Sequence, residues 1–452
     1  MRGFPHLRRG GPHIFYETPA FKPGSFTIWL QAPDFSPGIY FKSAMAKDYI
    51  FPPATRYTCI NCGRCCTHWA IKVGDAVAEK LLEYDWGAHY ADMKGVEILV
   101  RRKTGLAEGD AYFMRMRKGG RCPFLEQNNF CRIHTDLGYD AKPAGCKLFP
   151  LSMAEGPRGI HVRASYYCPA VASNEGKALT AQTRWIAQSH RQSGAQPLGE
   201  TFFLSEGTPI KWPEALLLEG NLLRIVQEAG RTISDRLKLC GALIEALINR
   251  SGGDEKSRLG NFLREMEKLS CGPLLDEIGR PAPSPMRGRL ALALFLIQDT
   301  RPTTAARIMR IPGMLRFLIK LGSLKSHMLG ARASLSALWR VEFSVTAESE
   351  ELLIRYLVQK ITGKRYIEGD LAIEGGWALL CAAFKLTELL ARLKAACENR
   401  DKVSHQDIIA AIGVADLLVV EHTVFFQMDM TRRLLNIVLS QPGMYRNVLD
   451  AL

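Results

Sequence analysis

Twelve cysteines stand in the 452-residue chain, and eight of them fall between residues 59 and 168: Cys59, Cys62, Cys65, Cys66, Cys122, Cys131, Cys146 and Cys168. In a reducing compartment, thiols this dense point to metal binding or catalysis rather than to disulfides. A chain of this length also has enough core to need no disulfide staples. The first four read CINCGRCC. A C-x-x-C turn aims two sulfurs at one point, as a metal ion or an iron–sulfur cluster requires. Gly63 lets the backbone turn back so that Cys65 can join them. Cys65 and Cys66 are neighbours, whose side chains diverge in any regular backbone. The pair is therefore expected to suit a multi-iron cluster, or to split between two centres, better than one tetrahedral ion.

The second four sit beside turn-forming residues. Cys122 and Cys131 lie on either side of an expected hairpin over Glu126–Asn129. Cys146 follows Lys142-Pro143-Ala144-Gly145, and Cys168 precedes Pro169. A hairpin would carry Cys122 and Cys131 toward the first group, so all eight are candidate metal ligands, and the first four are expected to converge with at least three of the second four in one small region. His68 and His134 are weaker candidates, with an ordinary hydrogen bond as the default for each. Cys240, Cys271, Cys381 and Cys397 lie in apolar helical runs and read as small core residues. Arg101, Arg102, Lys103, Arg115, Arg117, Lys118 and Arg121 could balance an anionic thiolate site.

The elements that must hold these residues fall into two kinds. Hydrophobic residues make up 47% and charged residues 23%, which excludes a mainly disordered chain. Leu290 to Ile297 is apolar but too short to span a bilayer. The basic start lacks the apolar core of a secretory signal. A soluble, cytoplasmic protein with no membrane partner is the expectation. The net charge of +14 permits an acidic partner, but nucleic acid is disfavoured because no recognition motif or aromatic interleaving accompanies it. Residues 1–56 read as an N-terminal arm with a strand at Phe26–Leu30. Residues 57–188 read as a loop-rich cysteine-cluster metal domain with a helix over Asp75–Tyr84 and a strand over 159–168. A linker is expected over 189–212, centred on the Gly/Ser/Gln/Pro stretch Ser189–Gly199.

From 213 to 452 the apolar period is helical. Pro213 opens one helix, and Ser404 with Asp407 forms a capping-box start. Trp377, Leu380, Phe384, Thr387 and Ala391 mark one apolar face of a helix. Glu421-His422 sits in a helical run as an ordinary pair. The fold class is α+β: a small metal domain followed by a mainly α-helical domain that holds no metal and should survive metal loss. Phosphate-loop, dinucleotide, zinc-protease and serine-hydrolase motifs are absent. No catalytic residue is assigned.

Cys59, Cys62, Cys65 and Cys66 form the CxxCxxCC signature of the YkgJ-type zinc- or iron-chelating family, which the chain resembles. WAIKV from Trp69, CPFL from Cys122, CRIHTDLG from Cys131, CKLFP from Cys146 and YCPAVA from Tyr167 are similar to its flagellin lysine-N-methylase branch. That resemblance implies a [4Fe–4S] cluster, S-adenosylmethionine as methyl donor, and flagellin as a protein partner. Two other functions stay open: a non-catalytic protein chelating zinc or iron, and a redox or electron-transfer module.

Overall fold

The computed structural model describes residues 39–41, 48–67, 71–103, 110–118, 120–251, 256–269, 272–277, 279–299, 309–369, 371–421 and 430–452. The expected strand at Phe26–Leu30, and His68, Cys271 and His422, lie outside these residues.

Alternation of Leu151, Met153, Ile160 and Val162 with more polar neighbours makes a hairpin of Leu151–Gly156 and Gly159–Ala164. Its antiparallel register runs from Leu151 opposite Ala164 to Gly156 opposite Gly159. The strand expected over 159–168 thus ends at Ala164, and 165–168 turn away to place Cys168. Tyr49–Phe51 joins the hairpin parallel to Gly159–Ala164, with Ile39–Phe41 antiparallel outside it. Gln196–Pro197 completes a mixed five-stranded sheet on the opposite edge, parallel to Leu151–Gly156. The stretch expected as a linker therefore carries structure: the helix Thr183–Ser193, this edge strand, and a hairpin of Thr201–Phe203 with Pro209–Lys211. Gly194, at φ 73°, ends the helix and lets the chain return to the sheet edge.

A separate three-stranded antiparallel sheet places Asp110–Met114 between Lys72–Val73 and Leu99–Lys103. The helix Asp75–Glu83 packs Ala78 and Leu81 beneath it. Together with Trp86, Phe124 and Ile133 these residues form a small core confined to 71–141, with Cys122 inside it and Cys66, Cys131 and Cys146 at its edge.

The remaining core is shared. The five-stranded sheet and the C-terminal helices contribute to one continuous apolar cluster, from Tyr49 and Phe51 through Leu151 and Val162 to Leu449. Its hub is the helix Ile373–Cys397, which packs against His405–Ala415, Met444–Leu449 and Ile233–Arg250. The expected apolar face is buried, and so is most of the rest of this helix, including Gly375, Gly376 and Thr387. A helix apolar nearly all round is a central helix, not a surface one. Pro213 stands in the first turn of Trp212–Gln227, and the Ser404–Asp407 capping box is formed in both directions. Cys240 and Cys381 are buried in helices, whereas Cys397 is exposed at the end of the hub helix. Among the described residues, the region from 213 is helical apart from short connections and one hairpin, Ser323–Ser326 with Ala331–Ser334.

Buried polar groups stitch the sheet to the helices. His161 Nδ1 and Thr362 O are 2.9 Å apart. Arg163 and Arg365 both bind Glu368, at 2.9 Å each. Lys364 pairs with Glu219, and Lys360 Nζ lies 2.7 Å from Asp416 Oδ1. Among the described residues no helix is long and apolar enough to cross a membrane.

Candidate metal centre

The CxxCxxCC loop leaves the Arg56–Tyr57 strand and ends in a 3₁₀ turn over Arg64–Cys66. Gly63 makes that turn possible at φ 69°. A Cβ there would also stand 2.7 Å from Asn129 Oδ1 and 3.2 Å from Leu125 Cδ2. Glycine is thus required twice, for the left-handed backbone and for close approach to the next cysteine-bearing segment. That segment is the expected hairpin: Leu125 bridges Cys131, and Glu126 N donates to Phe130 O at 2.9 Å. The backbones of the two segments are joined directly, since Cys122 N donates to Cys66 O at 2.8 Å and Thr67 bridges Arg121. Cys146 arrives on the short helix Ala144–Leu148, whose entry Pro143 sets.

Cys65, Cys66, Cys122, Cys131 and Cys146 border one cavity of about 40 Å³, walled by Ile71, Met114, Ile133 and Phe149. Lys142 is the cation on its wall. Cys65 Sγ and Cys66 Sγ are 3.8 Å apart. The expectation that these neighbours diverge is corrected here, because the tight 3₁₀ turn folds both side chains onto the same cavity. Their separation equals the edge of a tetrahedron of sulfurs with metal–sulfur bonds of about 2.3 Å, which is about 3.8 Å. Among the described residues no three His, Cys, Asp or Glu side chains stand as a ready-made coordination sphere, so gathering four sulfurs on one ion requires them to close across the cavity.

The donor set fits a thiophilic ion. Burial pushes the Cys122 thiol up to about 12, despite backbone help at Phe124. Burial also raises Cys146, with the charge of Cys122 adding to it. Within the adjacent pair, the hydrogen bond from Cys66 lowers Cys65 to about 7, with Lys142 assisting, and Cys66 rises because it keeps the proton. Sulfurs in so apolar a pocket gain most from replacing protons with a cation.

A second set lies alongside. Cys59 and Cys62 are exposed and Cys168 is buried. Burial, with the charges of Cys62 and Cys65 adding to it, raises Cys168 to about 12 despite backbone hydrogen bonds from Val171 and Ala170. Burial likewise raises the Tyr57 hydroxyl, and Cys59, Cys168 and Cys65 act on it in turn. The five cysteines of the cavity form an inner set, and Cys59, Cys62 and Cys168 an outer set coupled to it electrostatically through Cys65.

The structure also shows which neighbours support the loops. Arg64 stacks over Tyr167, 4.5 Å from its centroid, and Thr67 Oγ1 lies 3.2 Å from Tyr167 Oη. The helix His405–Ala415 backs both: a Cβ at Gly413 would meet Tyr166 O at 2.9 Å and Arg64 Nη2 at 3.4 Å. Asp416 then accepts the Tyr166 N–H at 2.8 Å. Asp416 lies 250 residues from Tyr166 and Gly413 is further still from Arg64, and no local pattern signals either. In the sequence Lys142 stands out only as part of a turn before Cys146. Of the basic residues expected to balance the thiolates, Arg115 and Arg117 pair with Glu97 and Asp92, and Arg121 bonds Glu126 O. Arg101 and Arg102 stack on Tyr112 and Phe113. Arg117 still reaches Cys122 electrostatically. His134 is exposed and packs edge-on against Tyr139, away from the cavity.

Comparison with known proteins identifies this region. Residues 58–174 match the family described as "CxxCxxCC: Putative zinc- or iron-chelating domain". The chain is also similar to an uncharacterized protein of Methanocaldococcus jannaschii, with 32% identity over 99 residues, covering 21% of this chain and 29% of that protein. The chain thus spans under a third of that relative's length. No solved structure matches.

Proposed function

We propose that this protein chelates zinc or iron with its clustered cysteines, and that the inner set is a closed structural centre while the outer set is an open one. The observation that carries the reading is the shared cavity of Cys65, Cys66, Cys122, Cys131 and Cys146, with two of its sulfurs already at tetrahedral spacing. An ion held there ties three separate chain segments into the small core of 71–141. Closed four-thiolate coordination of that kind organises a fold rather than a reaction.

Cys59, Cys62 and Cys168 supply three thiols, two of them exposed, which leaves room for a fourth ligand from solution. Open positions are the mark of reactive centres. This supports a [4Fe–4S] cluster at the outer set, and with it the reading as a protein-lysine methylase that uses S-adenosylmethionine on a partner such as flagellin. A cavity of about 440 Å³ bordered by Phe202, Phe203, Arg365, Glu368 and Asn436 has the size of a small-molecule site. Methyl transfer would require a neutral lysine amine to form the new C–N bond as the S–C bond of the sulfonium breaks, with the amine proton leaving to solvent or a base. A cytoplasmic setting, where thiols stay reduced, accords with this chemistry.

Metal analysis and visible absorbance of the full chain purified without oxygen test both parts. The inner centre predicts that Cys66→Ser with Cys122→Ser removes about one metal equivalent per chain. The outer cluster predicts brown protein whose colour Cys62→Ser abolishes while the inner metal stays. Unchanged metal content in the double variant would overturn the chelation reading. A colourless protein holding only zinc, with no saturable S-adenosylmethionine binding, would overturn the methylase reading alone.

A further inference from the structure

Far from the cysteines in sequence, the helix Ile311–Leu318 lies on the surface with one side chain, Phe317, fully buried beneath it. Ile311, Leu315 and Ile319 recur every fourth residue along its outer side and are 39%, 54% and 60% exposed. Met309 before it and Leu321 after it are 82% and 61% exposed, extending the apolar row past both ends. Isolated exposed apolar residues need no explanation, but a contiguous row of them marks a contact surface.

The charge around this row is of one sign. Between Asp299 and Glu342 there is no acidic residue, while Arg301, Arg307, Arg310, Arg316, Lys320, Lys325, Arg332 and Arg340 all fall in that interval. Arg316, Lys320, Lys325 and Arg332 are exposed. None of these four forms an ion pair with another described residue; Lys320 stands over the Trp339 ring and Arg332 donates to Ser323 Oγ. Arg310 is turned inward to the carbonyls of Asp299 and Lys325. Elsewhere on this protein, arginines are commonly matched by carboxylates, as in Arg163–Glu368 and Arg400–Asp407. Here the segment between Asp299 and Glu342 supplies no carboxylate of its own.

We infer that this face docks onto an anionic lipid surface, with Ile311, Leu315 and Ile319 entering the headgroup–acyl boundary and Arg316, Lys320 and Lys325 meeting lipid phosphates. Protruding apolar side chains flanked by unmatched cations are the signature of an interfacial helix. Leu315 and Ile319 are more than half exposed, as side chains that enter a soft phase must be. The contact is peripheral and independent of the metal reading. It is compatible with the lack of a spanning helix among the described residues, and it departs from the expectation that no membrane is engaged.

Flotation of the full chain with phosphatidylcholine vesicles, with and without one part in three phosphatidylglycerol, tests it. The protein should float with the anionic vesicles and not with the neutral ones, and added salt should weaken the binding. Leu315→Asp with Ile319→Asp should cut partitioning at least about tenfold. Arg316→Gln and Lys320→Gln should each cut it about fivefold. Circular dichroism and metal content of these variants should match the parent, since Leu315, Arg316, Ile319 and Lys320 are exposed, and the only core-packed ring any of them is described against is Trp339, under Lys320. Failure to float with anionic vesicles would overturn the inference, and so would undiminished flotation of the folded variants. Self-association that Leu315→Asp with Ile319→Asp abolishes, without vesicle binding, would make the face a protein interface and overturn it equally.

Discussion

Replacing Asp416 with asparagine should be among the most damaging single-atom changes in the molecule. Asp416 is fully buried and Lys360 is 2% exposed, with Nζ to Oδ1 at 2.7 Å. The same carboxylate accepts from Tyr166 N at 2.8 Å, Tyr356 Oη at 3.1 Å and Ser165 Oγ at 3.4 Å. The amide would keep the shape and one acceptor but take from the buried ammonium the carboxylate charge that stands 2.7 Å away. Breaking a buried pair from one side costs about 3–5 kcal/mol, whereas removing both charges is often close to neutral. The rings of Tyr166 and Tyr356, at 5.7 and 5.2 Å from the ammonium, offset only part of this. Urea unfolding followed by circular dichroism should therefore show a loss of about 3 kcal/mol or more for Asp416→Asn. Adding Lys360→Met should restore at least about half of it. Tyr166 lies two residues before Cys168, so bound metal should fall in the single variant and recover in the double. A loss below about 1 kcal/mol, or a double variant no better than the single, would refute the view that this charge pair fastens the sheet to the helices.

Two further outcomes follow from buried groups. Burial, then the charge of Lys364, holds His161 down to about 3, against about 6.5 in the unfolded chain. Between those values the unfolded state binds the extra proton, so stability falls with falling pH, by up to about 1.4 kcal/mol per unit below pH 6.5. His161→Gln should flatten unfolding curves compared between pH 6.5 and 5, a window above the titration of Glu368, which Arg365 and Arg163 hold below the usual carboxylate range. Gly413→Ala should destabilise by about 1–3 kcal/mol and reduce metal retention, because its Cβ would press on Tyr166 O. Gly220→Ala, in a helix with nothing within 4 Å of the new methyl, should instead stabilise by about 0.5–1 kcal/mol; equal effects at the two glycines would show that close packing at Gly413 is not what matters.

Much of this organisation is local and legible in the chain. The hairpin between Cys122 and Cys131 follows from its Asn-rich turn, and the capping box at Ser404 from residue types three apart. The density of cysteines locates the site, because metal-binding loops draw their ligands from short turn-forming segments. What escapes such a reading is long-range. Nothing near Tyr49–Phe51 or Gln196–Pro197 says that they pair with one distant hairpin, since Tyr49 finds Ile160 and Gln196 finds Ala154 only through the tertiary fold. The meeting of Cys65 and Cys66 depends on a 3₁₀ turn that a rule for regular backbone does not anticipate. The hub helix reads as one-sided because its face of Trp377, Leu380 and Phe384 is strong, whereas its polar positions are buried too, Lys385 against Glu388 among them.

Among the described residues, the chain leaves the shared core after Tyr57 and rejoins it at Leu148, and the small core of 71–141 lies between. A metal bound by Cys66 and Cys146, as proposed, would draw shut a ring of roughly 80 residues at its mouth. The entropy of closing such a ring grows only with the logarithm of its length, so by analogy with a disulfide the clasp is worth about 4–5 kcal/mol whether the loop holds eighty residues or a hundred. Evolution is thereby free to lengthen, trim or replace what the ring encloses, provided the drawstring cysteines at its mouth stay in place.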